Sequence, residues 1–487
     1  MTQHAEYRNS VIDRLRSLGS NLVTATRLWA LQDLAILAWT ANLDTVGFIL
    51  RRGYSGIGRP PRDPAAMFRA WVLATSLGIS SPTKWAHRLS TDPVLAILCG
   101  FEPTDTPGAT TFVDFTARLT RTMRAHARVH CPHRKRGKGP GKGKKRPLRH
   151  ADVLRRLQAQ LPRCSHGDEG PLQEILATIA AGSADRGLAD LNQLRIAGDS
   201  TILPAAANSF GRRTCQCPSR TPCGHRRRFR DGDATWDWDS SRGVWIYGHR
   251  FYEITAAGCS HDLPLVIRSV GADRHDAVSW LLSYSDFGSY YPDAHIIAAI
   301  LDSAHDAGVL FDQLHRANIQ AIIDLNPAHN PKHPVRLTAD GLPICSCGHP
   351  MAPDGSSRGR RKYVCPRTRK RSAPDDQPPC SHIVYISGTA AFRLHPDIAR
   401  GTEAWRLVYN DRTCTERSHT RKRNDFGQLR NRRRGRRNRT AHYFFAAYCQ
   451  HFAAWVQKAD YRFETVFAAI IEPHMFALRD LPRHAAA

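Results

Sequence analysis

The segment Tyr409–Arg423, YNDRTCTERSHTRKR, gathers a tyrosine, a lone glutamate and many cations. Arg412, Glu416 and Arg423 follow Tyr409 at offsets of three, seven and fourteen, which on a 3.6-residue helix form one narrow stripe. The plain reading is a solvated helix bearing an Arg412–Glu416 i,i+4 pair. Two short apolar stretches upstream give it more weight: LRIAGDST carries Asp199 and HIIAAILDSAHD carries Asp302. Two strand-borne aspartates and a helix-borne glutamate are hard oxygen donors, the set that suits a divalent cation and phosphoryl transfer.

These acids need a sheet and a covering helix. The strand reading starts at Leu194–Ser200; VWIYGHRFYEITAAG and LPLVIRSVGA then alternate like paired strands, and His275-Asp276 opens a helix. A strand ending at Asp302, a helix over roughly 304–317 and the strand IQAIIDLNP follow. Asp306 and Asp324 compete with Asp302, but Asp302 directly ends an apolar strand, whereas Asp306 fits the start of the next helix.

The YNDRTCTERSHTRKR signature, Tyr-x2-Arg-x3-Glu-x6-Lys with Arg423 in the lysine's place and Lys422 beside it, resembles that of bacterial insertion-sequence DDE transposases. The resemblance implies an α/β, ribonuclease-H-like mixed sheet flanked by helices, with Asp199, Asp302 and Glu416 as catalytic ligands of Mg²⁺ (or Mn²⁺). It implies cleavage of a DNA strand at the element's ends, then attack of the freed 3′-hydroxyl on target DNA. Tyr409, Arg412, Arg423 and Lys422 would contact that DNA. Alternatives are a metal-dependent nuclease without joining activity and a catalytically retired DNA-binding regulator.

Composition fits a nucleic-acid partner. The 487 residues carry a net charge of +27, which calls for a polyanion, and the 41% hydrophobic content is enough for sizeable cores. Double-stranded DNA is the expected partner, bound by a homodimer in the cytoplasm at the nucleoid. The amino terminus lacks an apolar signal core, and Asp33 and Asp44 interrupt the hydrophobic region 28–50, so neither export nor membrane insertion is expected.

Residues 1–131 read as an all-helical domain. Asp63-Pro64, Ser81-Pro82 and Asp92-Pro93 each put a capping residue before a proline, and Gly78 and Gly100 stand where helices could end. By resemblance this domain binds the element's terminal repeats; its own capped helices and the composition break after it predict that it folds as an independent fragment. Residues 132–150 are a flexible basic linker, 151–190 a helical connector, 191–334 the first part of the core and 386–460 its remainder, with a tail over 461–487.

Thirteen cysteines, an odd number, point to thiols and metal ligands rather than a disulfide framework. A loop over 211–230 offers Cys215, Cys217, Cys223 and His225; an insertion over 335–385 offers Cys345, Cys347, Cys365 and Cys380, with His349 and His382 as competitors. Each set could complete a tetrahedral, structural Zn²⁺ site. In the arginine run 430–439, Arg432 and Arg433 are candidate DNA-backbone contacts, whereas the aromatic stripe Phe444, Tyr448, Phe452 and Trp455 reads as helix packing.

Overall fold

The computed structural model describes residues 2–123, 169–218, 227–326, 336–338, 342–368, 380–387, 393, 396–398 and 400–481, apart from residues 20, 56, 58, 59, 240, 241, 358, 359 and 480. The basic linker, the first part of the helical connector, Cys223 and His225 lie outside these residues.

The chain begins with helices α1 (His4–Ser17), α2 (Leu22–Ala30), α3 (Gln32–Thr40), α4 (Asp44–Arg51), α5 (Pro64–Ser76), α6 (Pro82–Thr91), α7 (Pro93–Cys99) and α8 (Ala109–Leu119). The Asp63, Ser81 and Asp92 side chains accept from the N–H groups of Ala65, Lys84 and Leu95, with a proline in each first turn. Those caps satisfy amides that a helix start otherwise leaves open. α9 (Gly170–Ala184) leads into the sheet.

The sheet comprises β1 (Leu194–Pro204), β4 (Thr235–Asp239), β5 (Val244–Ala257), β6 (Leu263–Gly271), β7 (Ile296–Leu301) and β8 (Gln320–Ile323); β2 (Arg212–Arg213) and β3 (Arg227–Arg228) form a separate ribbon. Its order is β4-β5-β1-β7-β8, and β6 pairs with β5. β1, β7 and β8 run parallel, whereas β4, β5 and β6 are antiparallel, so the sheet is mixed. α10 (Asp276–Tyr290) packs on β5 and β6, and α11 (Gly308–Arg316) lies beside β8. α12 (Glu403–Asn410) sits against β7 and β8, α13 (Thr413–Asn424) against β1 and β5, and the 24-residue α14 (Arg436–Ala459) against β6.

Two expected helices differ. Residues 409–423 do not form one helix: a turn at Asp411-Arg412 separates α12 from α13 and leaves Tyr409 on the earlier one. The helix expected near residue 304 begins at Gly308, because Asp302 instead caps a short 3₁₀ turn, Ser303–His305.

α14 also packs on α3, α5 and α9, so the amino-terminal helices and the sheet share one hydrophobic core. The insertion opens with a short ribbon of β9 (Arg336–Leu337) and β10 (Pro343–Ile344). It has its own small core around Met351, Tyr363 and Ile386, built on β11 (Ala352–Ser357), β12 (Arg360–Val364) and β13 (Ile383–Ser387). The protein is thus mixed α/β, with a helical amino-terminal part, a mixed sheet and a cysteine cluster. Among the described residues no single helix is long and apolar enough to cross a membrane.

Candidate functional site

Gly198 on β1 pairs with Leu301 on β7, and Leu301 with Ile323 on β8, so Asp199 in the middle of β1 and Asp302 and Asp324, just past the ends of β7 and β8, stand at one level on adjacent parallel strands. Gly198 admits no side chain: a Cβ there would lie 2.4 Å from the Tyr252 hydroxyl and 3.0 Å from Trp280. That close approach lets Tyr252 reach His305, with Oη and Nε2 2.8 Å apart, while His305 Nδ1 donates to Asp302 Oδ1 at 2.6 Å. The Ala304 N–H also donates to Asp302.

The two strand acids differ in charge state. Burial, reinforced by the nearby charges of Asp276 and Asp302, pushes the Asp199 carboxyl up to about 7. Burial also opposes ionisation of Asp302, but its hydrogen bond and attraction to His305, with Arg412 nearby, hold it below its ordinary value. Crowded carboxylates of this kind gain most from a bound cation.

α13 lies over Asp199. Glu416, 47% exposed, pairs with Arg412 at 2.7 Å. Burial disfavours the Arg412 charge, yet Glu416, Tyr409 and Asp199 raise its pKa overall. The Arg412 guanidinium stands 5.5 Å above the Tyr409 ring, and Arg423 donates to Thr201 on β1. Arg412 thus lies close to both Asp199 and Asp302, Arg423 close to Asp199 and Tyr409 close to Asp302, while Glu416 is joined to them through Arg412; the three acids do not form a group whose ligand atoms all lie within 4.8 Å.

Sequence reasoning missed Asp276. It accepts from Ser200 Oγ at 2.5 Å and from Arg250 at 2.9 Å, and Arg250 also binds Asp237. The His275-Asp276 helix start was visible, but its return to β1 depends on tertiary packing. Asp306 is taken up elsewhere: buried, it receives a two-pronged bond from Arg393 at 2.5 and 2.6 Å and the Asn326 N–H at 2.8 Å.

Lys422 requires a correction, because it cannot touch DNA. It is 0% exposed and lies 2.9 Å from Glu253, itself fully buried, with Gln450 and Ser418 completing its contacts. Burial opposes both charges: it lowers the Lys422 ammonium despite the pull of Glu253, while Lys422, His419 and Ser418 hold the Glu253 carboxyl below its ordinary value. Lys422→Met is expected to lower stability by about 3–5 kcal/mol in chemical denaturation, with most of it recovered in Glu253→Met/Lys422→Met. A single variant as stable as wild type would contradict this.

The arginine run is likewise divided. Arg432 is exposed, whereas Arg433 is half-buried and donates to Asn438. Arg436 and Arg439 are interior: Arg436 binds Glu169 and Ser269, and Arg439 binds the carbonyls of Asn431 and Pro204. They tie α14 to its surroundings and are unavailable to DNA.

In the insertion, Cys345, Cys347, Cys365 and Cys380 present sulfurs all within 4.8 Å of one another. Cys345 lies 3.3 Å from Cys380 and Cys347 3.5 Å from Cys365, near the about 3.8 Å separation that tetrahedral Zn–S bonds of about 2.3 Å require. This four-cysteine cluster could hold a metal such as zinc, selected by soft thiolates. His349 and His382 stand 3.6 Å from cysteine sulfurs. Of the other cluster, Cys215 and Cys217 are half-buried, while Cys223 and His225 lie outside the described residues. About one zinc per chain is expected from the insertion by elemental analysis, and Cys365→Ser should lose that ion and unfold the three-stranded sheet before the rest. Folded, metal-free wild type with an intact insertion would refute this.

A comparison with curated proteins found no match. Residues 33–118, which run from α3 through α8, match the family model of a transposase domain, DUF772, and this match supports a transposase.

Proposed function

We propose that the chain is an insertion-sequence transposase of the DDE class, with a ribonuclease-H-like core and Asp199, Asp302 and Glu416 as its catalytic acids. The observation that carries the reading is that Asp199 on β1 and Asp302, just past the end of β7, stand at one level with Arg412, the ion-pair partner of Glu416, close to both. The raised Asp199 pKa fits a divalent-cation site, since the carboxyl is reluctant to ionise without a counter-charge. Asp199 and Asp302, joined by Glu416, would hold Mg²⁺ or Mn²⁺. Such ions activate a nucleophile and neutralise the leaving oxygen of an in-line displacement at phosphorus.

The chain's own residues have separable tasks. His305, braced by Tyr252, orients Asp302 and stabilises its charge. Arg412 holds Glu416 and supplies positive charge between the acids, where a DNA phosphate would otherwise be repelled. Tyr409 and Arg423 flank that position. The DNA partner is double-stranded: the element's ends, recognised through the helical amino-terminal part, and a target bound by a homodimer at the bacterial nucleoid. Purified protein incubated with Mg²⁺ and duplexes bearing the ends of its element should release a 3′-hydroxyl and join it to a second DNA. Cleavage without joined product would leave a nuclease.

A further inference from the structure

The hairpin of β4 and β5 displays aromatic rings that nothing in the catalytic arrangement uses. Trp236 faces Tyr247 and Trp238 faces Trp245 across the ladder, on one side of the hairpin. Their ring centroids are 5.6 Å apart in both pairs, and Phe210 extends the strip at 5.9 Å from Trp236. Cross-strand pairing alone would explain a stabilised hairpin. Yet Trp236, Trp238, Trp245 and Phe210 remain 39, 47, 63 and 64% exposed after pairing.

The strip faces the same side of the sheet as Asp199. Along β5, residues 245, 247, 249, 251 and 253 share one face, and Glu253 is the partner of Asp199. The rings therefore lie about 20–26 Å along the strand from the catalytic level. Arg423, which donates to Thr201 on β1 two residues beyond Asp199, lies on this same side and adds positive charge between the two ends. The acids that alternate with the tryptophans are already paired: Asp237 with Arg250, and Asp239 with Arg242 at 3.4 Å. Beside the strip, exposed Arg212 faces exposed Arg228 across the β2–β3 ribbon, a like-charge opposition that a polyanion would relieve.

We propose that this strip binds unpaired nucleobases of a single DNA strand leading away from the cleaved phosphate, which rests on DNA being the substrate. Aromatic faces stack any base, and the flanking arginines follow the backbone. A second copy of the chain fits less well. Four half-exposed rings offer on the order of 400 Å², about half of what each partner of a stable dimer buries.

The test compares a fifteen-nucleotide oligo-dT with a duplex of mixed sequence, using the full chain. Trp238→Ala/Trp245→Ala should lose about tenfold or more in oligo-dT affinity, keeping duplex affinity within about twofold and thermal unfolding unchanged. Photocrosslinking of wild type to 5-iodouracil-substituted oligo-dT, which needs no variant to fold, should map to Trp236, Trp238 or Trp245. Unchanged oligo-dT affinity in the double variant, or crosslinks confined to other residues, overturns the proposal. Loss of a wild-type dimer with oligo-dT affinity intact also overturns it and makes the strip a self-association surface. Wild type that binds duplex but not oligo-dT removes this inference alone, whereas wild type that binds no DNA removes the proposed function with it.

Discussion

Asp199→Asn, Asp302→Asn and Glu416→Gln should each reduce metal-dependent DNA cleavage by well over about a hundredfold, since even outer-shell changes at metal sites cost about 10–100-fold. DNA binding should persist, because the exposed arginines are untouched. Any of the three that still cuts at the wild-type rate leaves the site. Asp306→Asn provides the contrast: it breaks the Arg393 tie and should lower stability before it alters the chemical step. A pH arm isolates Asp199. A carboxyl whose folded pKa is raised to about 7 binds more protons folded than unfolded, so stability falls as pH rises from about 4 to 7. His305, also raised, loses stability in the same direction, which is why the variant must be compared with wild type. Without divalent cation, Asp199→Asn should be more stable than wild type at pH 8 by on the order of 1–3 kcal/mol, the side chain being only partly buried. Added Mg²⁺ should stabilise wild type and not the variant; equal stability of the two across this range would remove the electrostatic account.

What sequence could reveal here was local. The caps at Asp63, Ser81 and Asp92 are read within four residues of the chain, and each one forms as read. β5 and β6 follow from apolar alternation, and β7 from a short continuous apolar run. Asp276 was hidden because its relation to Asp199 depends on how α10 packs across β5 and β6, which no local spacing encodes. Lys422 failed for the opposite reason: a basic run looks uniformly solvated, and only the buried Glu253 on β5 shows that one member points inward. The Tyr409–Arg423 stripe was sound in spacing but not in continuity, because the turn at Asp411-Arg412 puts Arg412 at the N-cap of α13. The four-cysteine insertion was legible, since four thiols in a segment poor in apolar residues have few other ways to build a core.

The basic run at 132–150 invites division of the chain there, but packing gives a different expectation: neither half should fold alone. α14 lies between the amino-terminal helices and the sheet: Tyr443 stacks on Phe251 of β5, whereas His442, Phe445 and Tyr448 face the helical side. Phe68 on α5 stands 5.3 Å from both Phe445 and Tyr448, and Trp71 packs edge-on to His442 at 4.9 Å. Trp29 and Trp39 likewise meet Phe463 and Phe467 near the carboxyl end. Gly78 and Gly427 seal the seam, for a Cβ on Gly427 would lie 3.1 Å from the Gly78 backbone. Exposing even six such side chains costs on the order of 10–15 kcal/mol, comparable with the whole stability of a typical domain. A fragment ending near residue 131 and one starting near 151 should each be insoluble or molten when expressed singly. Co-expressed, they should associate and recover a single cooperative unfolding transition, because the break removes only the connection between them. A soluble, cooperatively unfolding fragment 1–131 would show instead that the helices carry a sufficient core of their own and that α14 docks onto it as a separate unit.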